Sequence, residues 1–253
     1  MDEILTKKQE ALIRSLQTRH GRKKSDLCLC EGIKSCKEIL SINLQLIETA
    51  VCSEDFKSDD FSSVDFVKVT ADKFQSLSSF SASEGILFIV KRPEFKVSGP
   101  LSDSFTILLD KVSDPGNLGT IIRTVRATGL GELWMTEGTV DPFCNKAIRA
   151  ALASQFALQI RLFANLADAI CEFRRIGSDR IYITNPHSGA SCFTEAGLFD
   201  KSLIIFGNEA HGTENIHNIA DLTIPMPGNI DSINVAQSVT VILFEAVRRK
   251  ESN

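Results

Sequence analysis

The chain has 253 residues and a formal net charge of -4 at neutral pH. That length suits one large domain or two small ones, and the mild negative charge argues against a protein that simply coats nucleic acid. With Asp2, Glu3, Lys7, Lys8 and Glu10 in the first ten residues no secretory leader is expected, and no apolar run is long enough to cross a bilayer, so no membrane partner is expected. The seven cysteines lack metal-site spacing, which predicts reduced thiols in a cytoplasmic protein and no metal.

Residues 4–20 read as an amphipathic helix. Ile4, Leu5, Leu12, Ile13 and Leu16 share one side and basic residues fill the other. Over residues 1–24, Lys7, Lys8, Arg14, Arg19, Arg22, Lys23 and Lys24 face three acids. Such a patch suits selective RNA contact, and equally an ordinary solvated helix. Strand patterns follow at 26–31 and 44–52, with a short helix over 33–40 between them. Asp55-Phe56, Asp60-Phe61 and Asp65-Phe66 then repeat a dipeptide every five residues. That spacing fits neither helix nor strand, so the stretch reads as a surface loop with accidental repetition. A strand end at 67–70, a helix over 71–80 and a continuous apolar strand over 85–91 complete a small α/β domain, 1–95. The Ser-, Gly- and Pro-rich stretch 92–104 is the best linker candidate, with the linker itself drawn at 96–104.

A second α/β pattern occupies 105–253. Strands are expected at 106–109, 132–136, 157–162, 180–184, 203–206 and 222–224. Helices are expected at 120–128, 145–154 and 165–176, and the turn-rich segment 110–119 reads as a loop. After 222–224, Pro225 and Pro227 cannot donate to a sheet ladder, so the strand stops. Asp231, Ser232 and Asn234 are all N-cap types. Val235, Val239, Ile242, Leu243 and Ala246 then recur at helical spacing, and Arg248, Arg249 and Lys250 sit where the helix dipole favours cations.

Three blocks carry chemistry. In the first, Asn117-Leu118-Gly119 precedes Arg123, whose guanidinium offers a fork of donors to a phosphate or carboxylate. In the second, Gly207-Asn208-Glu209 follows an apolar strand; Gly207 leaves backbone groups open to an adenine edge, and Glu209 could orient Arg123. The third is Ile224 to Ala236. Each alone has a bland reading as a loop glycine, a surface arginine or a capped helix. Gly129-Leu130-Gly131 is no dinucleotide fingerprint, because it follows a helix and lacks the third glycine.

Taken together, the blocks resemble the SpoU (TrmH-like) family of RNA ribose 2′-O-methyltransferases, of the SPOUT class. The resemblance lies in Asp114-Pro115-Gly116-Asn117-Leu118-Gly119-Thr120-Ile121-Ile122-Arg123, in Phe206-Gly207-Asn208-Glu209-Ala210-His211-Gly212, and in Ile224-Pro225-Met226-Pro227-Gly228 with Ser232-Ile233-Asn234-Val235-Ala236. It covers 105–250. Ala210, Ile233 and Gln237-Ser238 depart from the family pattern. More weakly, Arg22-Lys23-Lys24, Glu31-Gly32 and Glu84 to Lys91 look like the L30e-type RNA-binding domain that many members carry.

The resemblance implies an α/β fold: a C-terminal, mostly parallel sheet with a deep trefoil knot, and a smaller N-terminal α/β domain. It implies S-adenosylmethionine as cofactor, contacted near Gly207, Ile224 and Ile233 with Met226 and Leu118 lining the pocket. It implies RNA as substrate, with ribosomal RNA the expectation, and a homodimer as the working unit. Arg123, Asn117, Glu209, Ser232 and Asn234 are the implied catalytic polar set. A guanidinium resists deprotonation, so Arg123 is expected to hold a phosphate and stabilise alkoxide charge rather than act as a base. A transfer RNA substrate, or a non-catalytic role in RNA binding or ribosome assembly, are the alternatives; retention of all five polar residues argues for the enzyme.

Overall fold

The structure is a computed structural model and describes residues 5–96, 98–207, 219–228 and 230–252. In chain order the helices are α1 Lys7–Leu16, α2 Arg19–Lys23, α3 Ile33–Ile42, α4 Ala71–Leu77, α5 Pro115–Ala127, α6 Asn145–Ala151, α7 Leu166–Arg175 and α8 Val235–Glu251. The strands are β1 Leu27–Glu31, β2 Ile47–Ser53, β3 Phe66–Val69, β4 Ile86–Lys91, β5 Phe105–Leu109, β6 Glu132–Thr136, β7 Gln159–Phe163, β8 Arg180–Thr184, β9 Ala190–Ser191, β10 Ser202–Phe206 and β11 Ala220–Thr223. They fall into two compact units, one of Met1–Pro93 with Asp141–Phe156, the other of Glu94–Val140 with Ala157–Asn253.

The first unit is built on a four-stranded sheet in the order β1-β4-β2-β3. β4 pairs antiparallel with both neighbours, while β2 and β3 run parallel. Ile13, Leu16, Leu29, Val51, Phe74, Leu77 and Ile89 close its core. The helix expected over 4–20 is two helices. Thr6 and Gln9 form a reciprocal capping box at the start of α1, and Thr18 starts α2 by accepting from the Gly21 amide at 3.0 Å.

Two expectations are corrected here. Arg22 is not part of a solvated basic patch. It is buried, its Nε donates to Asp141 at 2.7 Å, and its Nη1 donates to the carbonyls of Leu16 and Gln17, each at 3.0 Å. Lys7, Lys8, Arg14, Arg19, Lys23 and Lys24 remain exposed. The Asp-Phe repetition is not accidental either. A 3-10 turn at Asp59–Phe61 brings Phe56, Phe61 and Phe66 into mutual ring contact at 5.7–6.3 Å, and Phe61 and Phe66 both meet Phe88 of β4 at 6.1 Å. The acidic partners in the repeat stay at the surface while the rings form a satellite core.

The second unit carries a seven-stranded sheet, β7-β6-β5-β10-β8-β11-β9, in which every pairing is parallel. β5, β6 and β10 are buried along their whole length, as expected of strands covered on both faces. Between β5 and β8 lies β10, so the chain builds outward from β5 to β7 on one side and returns to fill the other. Such reversals leave crevices beyond the strands' carboxyl ends.

Helix α5 begins at Pro115, five positions before the expected start. Asp114 is its N-cap, accepting from the Asn117 amide at 2.8 Å, and Pro115 occupies the first turn, where its missing N–H costs nothing. The supposed loop glycines 116 and 119 are therefore helical.

Residues 99–102 are held to the sheet by a buried ion pair. Arg161 Nη2 donates to Glu132 at 2.9 Å, with both side chains at most 1% exposed. Arg161 also donates to the carbonyls of Gly99 at 2.8 Å and Pro100 at 2.6 Å and lies 5.0 Å from the Trp134 ring centre. Glu132 additionally accepts from Ser102 Oγ at 3.0 Å and from the Trp134 indole. At the other side of the unit, Glu245 of α8 binds Arg248 and Arg249, and Arg249 donates to the carbonyls of Cys192 and Glu195 at 2.7 Å each.

Breaking a buried pair strands a charge, so Glu132→Ala is expected to lower unfolding free energy by about 3–5 kcal/mol in urea denaturation. The two arginines beside Glu245 hold its carboxyl down to about 2. A lowered carboxylate contributes stability above its unfolded value near 4.5, and that contribution disappears as pH falls through the folded value. Glu245→Gln should therefore narrow the fall in melting temperature between about pH 4.5 and pH 2 without altering the trend above pH 5, read by circular dichroism.

Candidate active site

The carboxyl ends of β8, β10 and β11 open onto one cavity of about 450 Å³. β8 contributes Ile183 and Thr184 and the residues that follow, Asn185, Pro186 and His187. From β10 come Phe206 and Gly207, and from β11 Asp221, Leu222 and, just beyond, Ile224 and Met226. The entry to α8 adds Asp231, Ser232, Ile233, Val235 and Ser238. These ends meet because β8 is flanked by β10 and β11 in one parallel sheet, so all three point their carboxyl ends the same way.

The α8 entry is tied to a second helix start by two asparagines that are not themselves lining residues. Asn234 is the N-cap of α8, its Oδ1 accepting from the Ala236 amide at 2.8 Å. Its Nδ2 donates to Asn117 Oδ1 in the first turn of α5 at 3.0 Å. The two helices continue in contact, with the Thr124 and Thr240 hydroxyls 3.3 Å apart. One amide side chain thus caps its own helix and clasps the neighbouring one.

The residues singled out from the sequence are distributed as follows. Gly207, Ile224, Met226, Ser232 and Ile233 line the cavity. Asn117 and Asn234 are joined to each other. Leu118 is fully buried in the α5 face of the core and is not among the lining residues. Arg123 is exposed on α5, does not line the cavity, and has no partner among the described residues. Glu209 lies outside the described residues.

Sequence reasoning missed the wall formed by Thr184 to His187 and Asp221. The available signal was an Asn-Pro turn directly after the apolar strand of 180–184, at a strand's carboxyl end. The two-residue strand β9 was also missed, because two residues carry no periodicity.

An all-parallel α/β sheet with a ligand-sized cavity at three strand ends, walled on one side by the entry to α8, is the kind of place where α/β proteins hold small organic ligands. The chain belongs to the SpoU rRNA methylase family: the family's model matches residues 104–244, which hold every lining residue. An MRM3-like substrate binding domain matches residues 11–87. Among similar proteins, the 23S rRNA (guanosine(2553)-2′-O)-methyltransferase RlmP of Bacillus subtilis is 28% identical over 91% of this chain and 92% of its own length. An uncharacterised tRNA/rRNA methyltransferase of Synechocystis is 28% identical over 97% of this chain and 94% of its own. The crystal structure of an AdoMet-bound rRNA methyltransferase from Sinorhizobium meliloti superposes with a TM-score of 0.82 at 25% identity, covering 97% of this chain and 96% of the other. The enzyme is accordingly an S-adenosylmethionine-dependent methyltransferase.

The cavity suits that cofactor. Its volume falls within the range of about 300–1,000 Å³ that encloses ligands of this size. Ile183, Phe206, Leu222, Ile224, Ile233 and Val235 offer apolar surface to a flat ring, and Thr184, Asn185, Ser232 and Ser238 offer hydrogen bonds to polar substituents.

Removing the clasp should cost both stability and binding. Asn234→Ala loses an N-cap worth about 1 kcal/mol and the bond to Asn117, and calorimetric titration should show weaker S-adenosylmethionine binding alongside the lowered melting temperature.

Proposed function

We propose that the enzyme methylates a ribose 2′-hydroxyl of ribosomal RNA, working in the cytoplasm as a homodimer. The observation that carries this reading is the convergence of the β8, β10 and β11 ends with the α8 entry, which the Asn117–Asn234 bond ties to α5, inside the stretch that the family model matches. The named activity of the Bacillus subtilis relative and the substrate-binding match over residues 11–87 support ribosomal RNA as the substrate class. No helix among the described residues is long and apolar enough to cross a membrane. The reading includes a trefoil knot in the methyltransferase domain of 105–253, with 1–95 serving as the RNA-substrate domain.

S-adenosylmethionine supplies a methyl group already activated on a sulfonium. What remains for the protein is the acceptor, since a ribose hydroxyl is barely ionised at neutral pH. Arg123 holds the phosphate next to the target ribose and stabilises negative charge as the hydroxyl oxygen loses its proton. The guanidinium donates throughout and accepts no proton. Asn117 and Asn234, already fixed to each other, orient the ribose, and Ser232 pins the loop that borders the cofactor cavity. Glu209 is assigned the orientation of Arg123.

The position of Arg123 supports a dimeric site. Among the described residues of one chain it is exposed on α5 and is not part of the cavity wall. A second copy that presents its Arg123 would complete the constellation. The exposed apolar side chains Ile230 (58%) and Phe244 (49%) fit such an interface.

Arg123→Ala is expected to abolish incorporation of labelled methyl groups into undermodified ribosomal RNA while S-adenosylmethionine binding stays within about twofold of wild type. Equal loss of both would give Arg123 a structural role instead. A wild-type protein that binds RNA without incorporating label would overturn the enzymatic reading in favour of RNA binding or ribosome assembly.

A further inference from the structure

The cavity wall that follows β8 is a five-residue loop, Asn185 to Gly189, and its shape is set from outside the loop. Asn185 continues the sheet by one bond, its amide donating to the Leu222 carbonyl at 2.8 Å. Its Oδ1 accepts from the His187 amide at 2.9 Å, closing an Asx turn around Pro186. Its Nδ2 donates to Asp221 Oδ2 at 3.0 Å. Ser188 Oγ donates to the same oxygen at 2.6 Å. Gly189 then passes so close to β11 that a Cβ would lie 2.3 Å from the Asp221 carbonyl, with φ at +118°, so no side chain fits. Immediately afterwards Ala190 and Ser191 pair with Leu222 and Thr223 as β9.

The loop is therefore clamped at both ends by pairing with β11 and gripped in the middle by a single carboxylate oxygen. Asn185, Pro186 and His187 face the cavity, as does Asp221. Charge-assisted hydrogen bonds are stronger than neutral ones, so Asp221 is the strongest side-chain contact holding this wall. Neither the family's polar motifs nor the sequence periodicity points to it.

We propose that Asp221 is a positioning residue for the methyl donor: by holding Asn185 and Ser188 it fixes the 185–189 wall in the shape that receives S-adenosylmethionine. The inference rests on reading the cavity as the donor site. Loss of Asp221 frees the turn at its centre while the sheet pairings at either end remain. The donor then has to order the wall on binding, which weakens affinity. Transfer itself, once the donor is bound, uses groups on α5 and α8 that Asp221 does not touch.

The test uses the full-length chain, with S-adenosylmethionine titrated by calorimetry and steady-state methylation followed on undermodified ribosomal RNA. For Asp221→Ala we expect donor affinity to fall about tenfold and donor KM to rise to match, with a much smaller change in kcat at saturating donor and none in the KM for RNA. Asp221→Asn keeps an acceptor oxygen for both donors and should recover to within about threefold of wild type. Ser188→Ala removes one surface hydroxyl and should weaken the donor about threefold, which decides the matter if Asp221→Ala fails to fold. Donor affinity unchanged in Ser188→Ala and in whichever Asp221 variant folds would overturn the proposal, as would a loss that falls on kcat or on RNA rather than on the donor. If the wild-type chain itself fails to bind S-adenosylmethionine, it is the donor-site reading that fails, not this refinement of it.

Discussion

The hydrogen bond from Asn234 to Asn117 joins two helix starts that lie 117 positions apart in the chain. It ties α5 to the entry of α8, whose residues 231–233, 235 and 238 wall the cavity. Each asparagine sits in or beside the first turn of its helix, where amide groups lack partners within the helix. Asn234 satisfies one such amide with its oxygen and spends its nitrogen on the neighbour. Asp114 does the corresponding work at the start of α5. The two polar side chains are thereby held in one place before any ligand arrives, and the lost freedom is met in folding rather than in binding.

Around that clasp, the second unit uses buried charge sparingly and at its margins. Glu132 and Arg161 tie the stretch before β5 to the β6–β7 edge, and Glu245 with Arg249 ties the segment after β9 to α8. Neither lines the cavity. A buried pair of this kind contributes little net stability over an apolar substitute, but losing one partner is costly. Their effect is to select one arrangement of irregular segments whose own side chains bury little. The interior strands β5, β6 and β10 are buried along their whole length.

Much of the fold was legible along the chain. Period-two and period-3.6 patterns placed the main strands and the last helix, because burial of one face leaves a mark on neighbouring residues. The lapses share a cause. The start of α5 looks like a loop because glycines at 116 and 119 resemble breakers, yet Asp114 and Pro115 are a cap and a first-turn residue. The Asp-Phe repeat has a period of five that matches no regular element, although a 3-10 turn and a facing Phe88 make it a packed cluster. Arg22 resembles a surface charge in the sequence, since nothing nearby announces Asp141, 119 positions away.

The candidate site divides in the same way. Motif order along the chain identified the family, the cofactor class and most of the polar groups, because those residues are dictated by local needs: a helix cap, a strand stop, a loop that admits a ligand. Which of them share a wall was decided by the order of strands in the sheet. That order set β8 between β10 and β11, brought Asp221 against the Asn185 turn, left Leu118 in the core and turned Arg123 outward. Local chemistry is written in adjacent residues, whereas adjacency across a parallel sheet joins residues tens of positions apart and leaves no periodic trace.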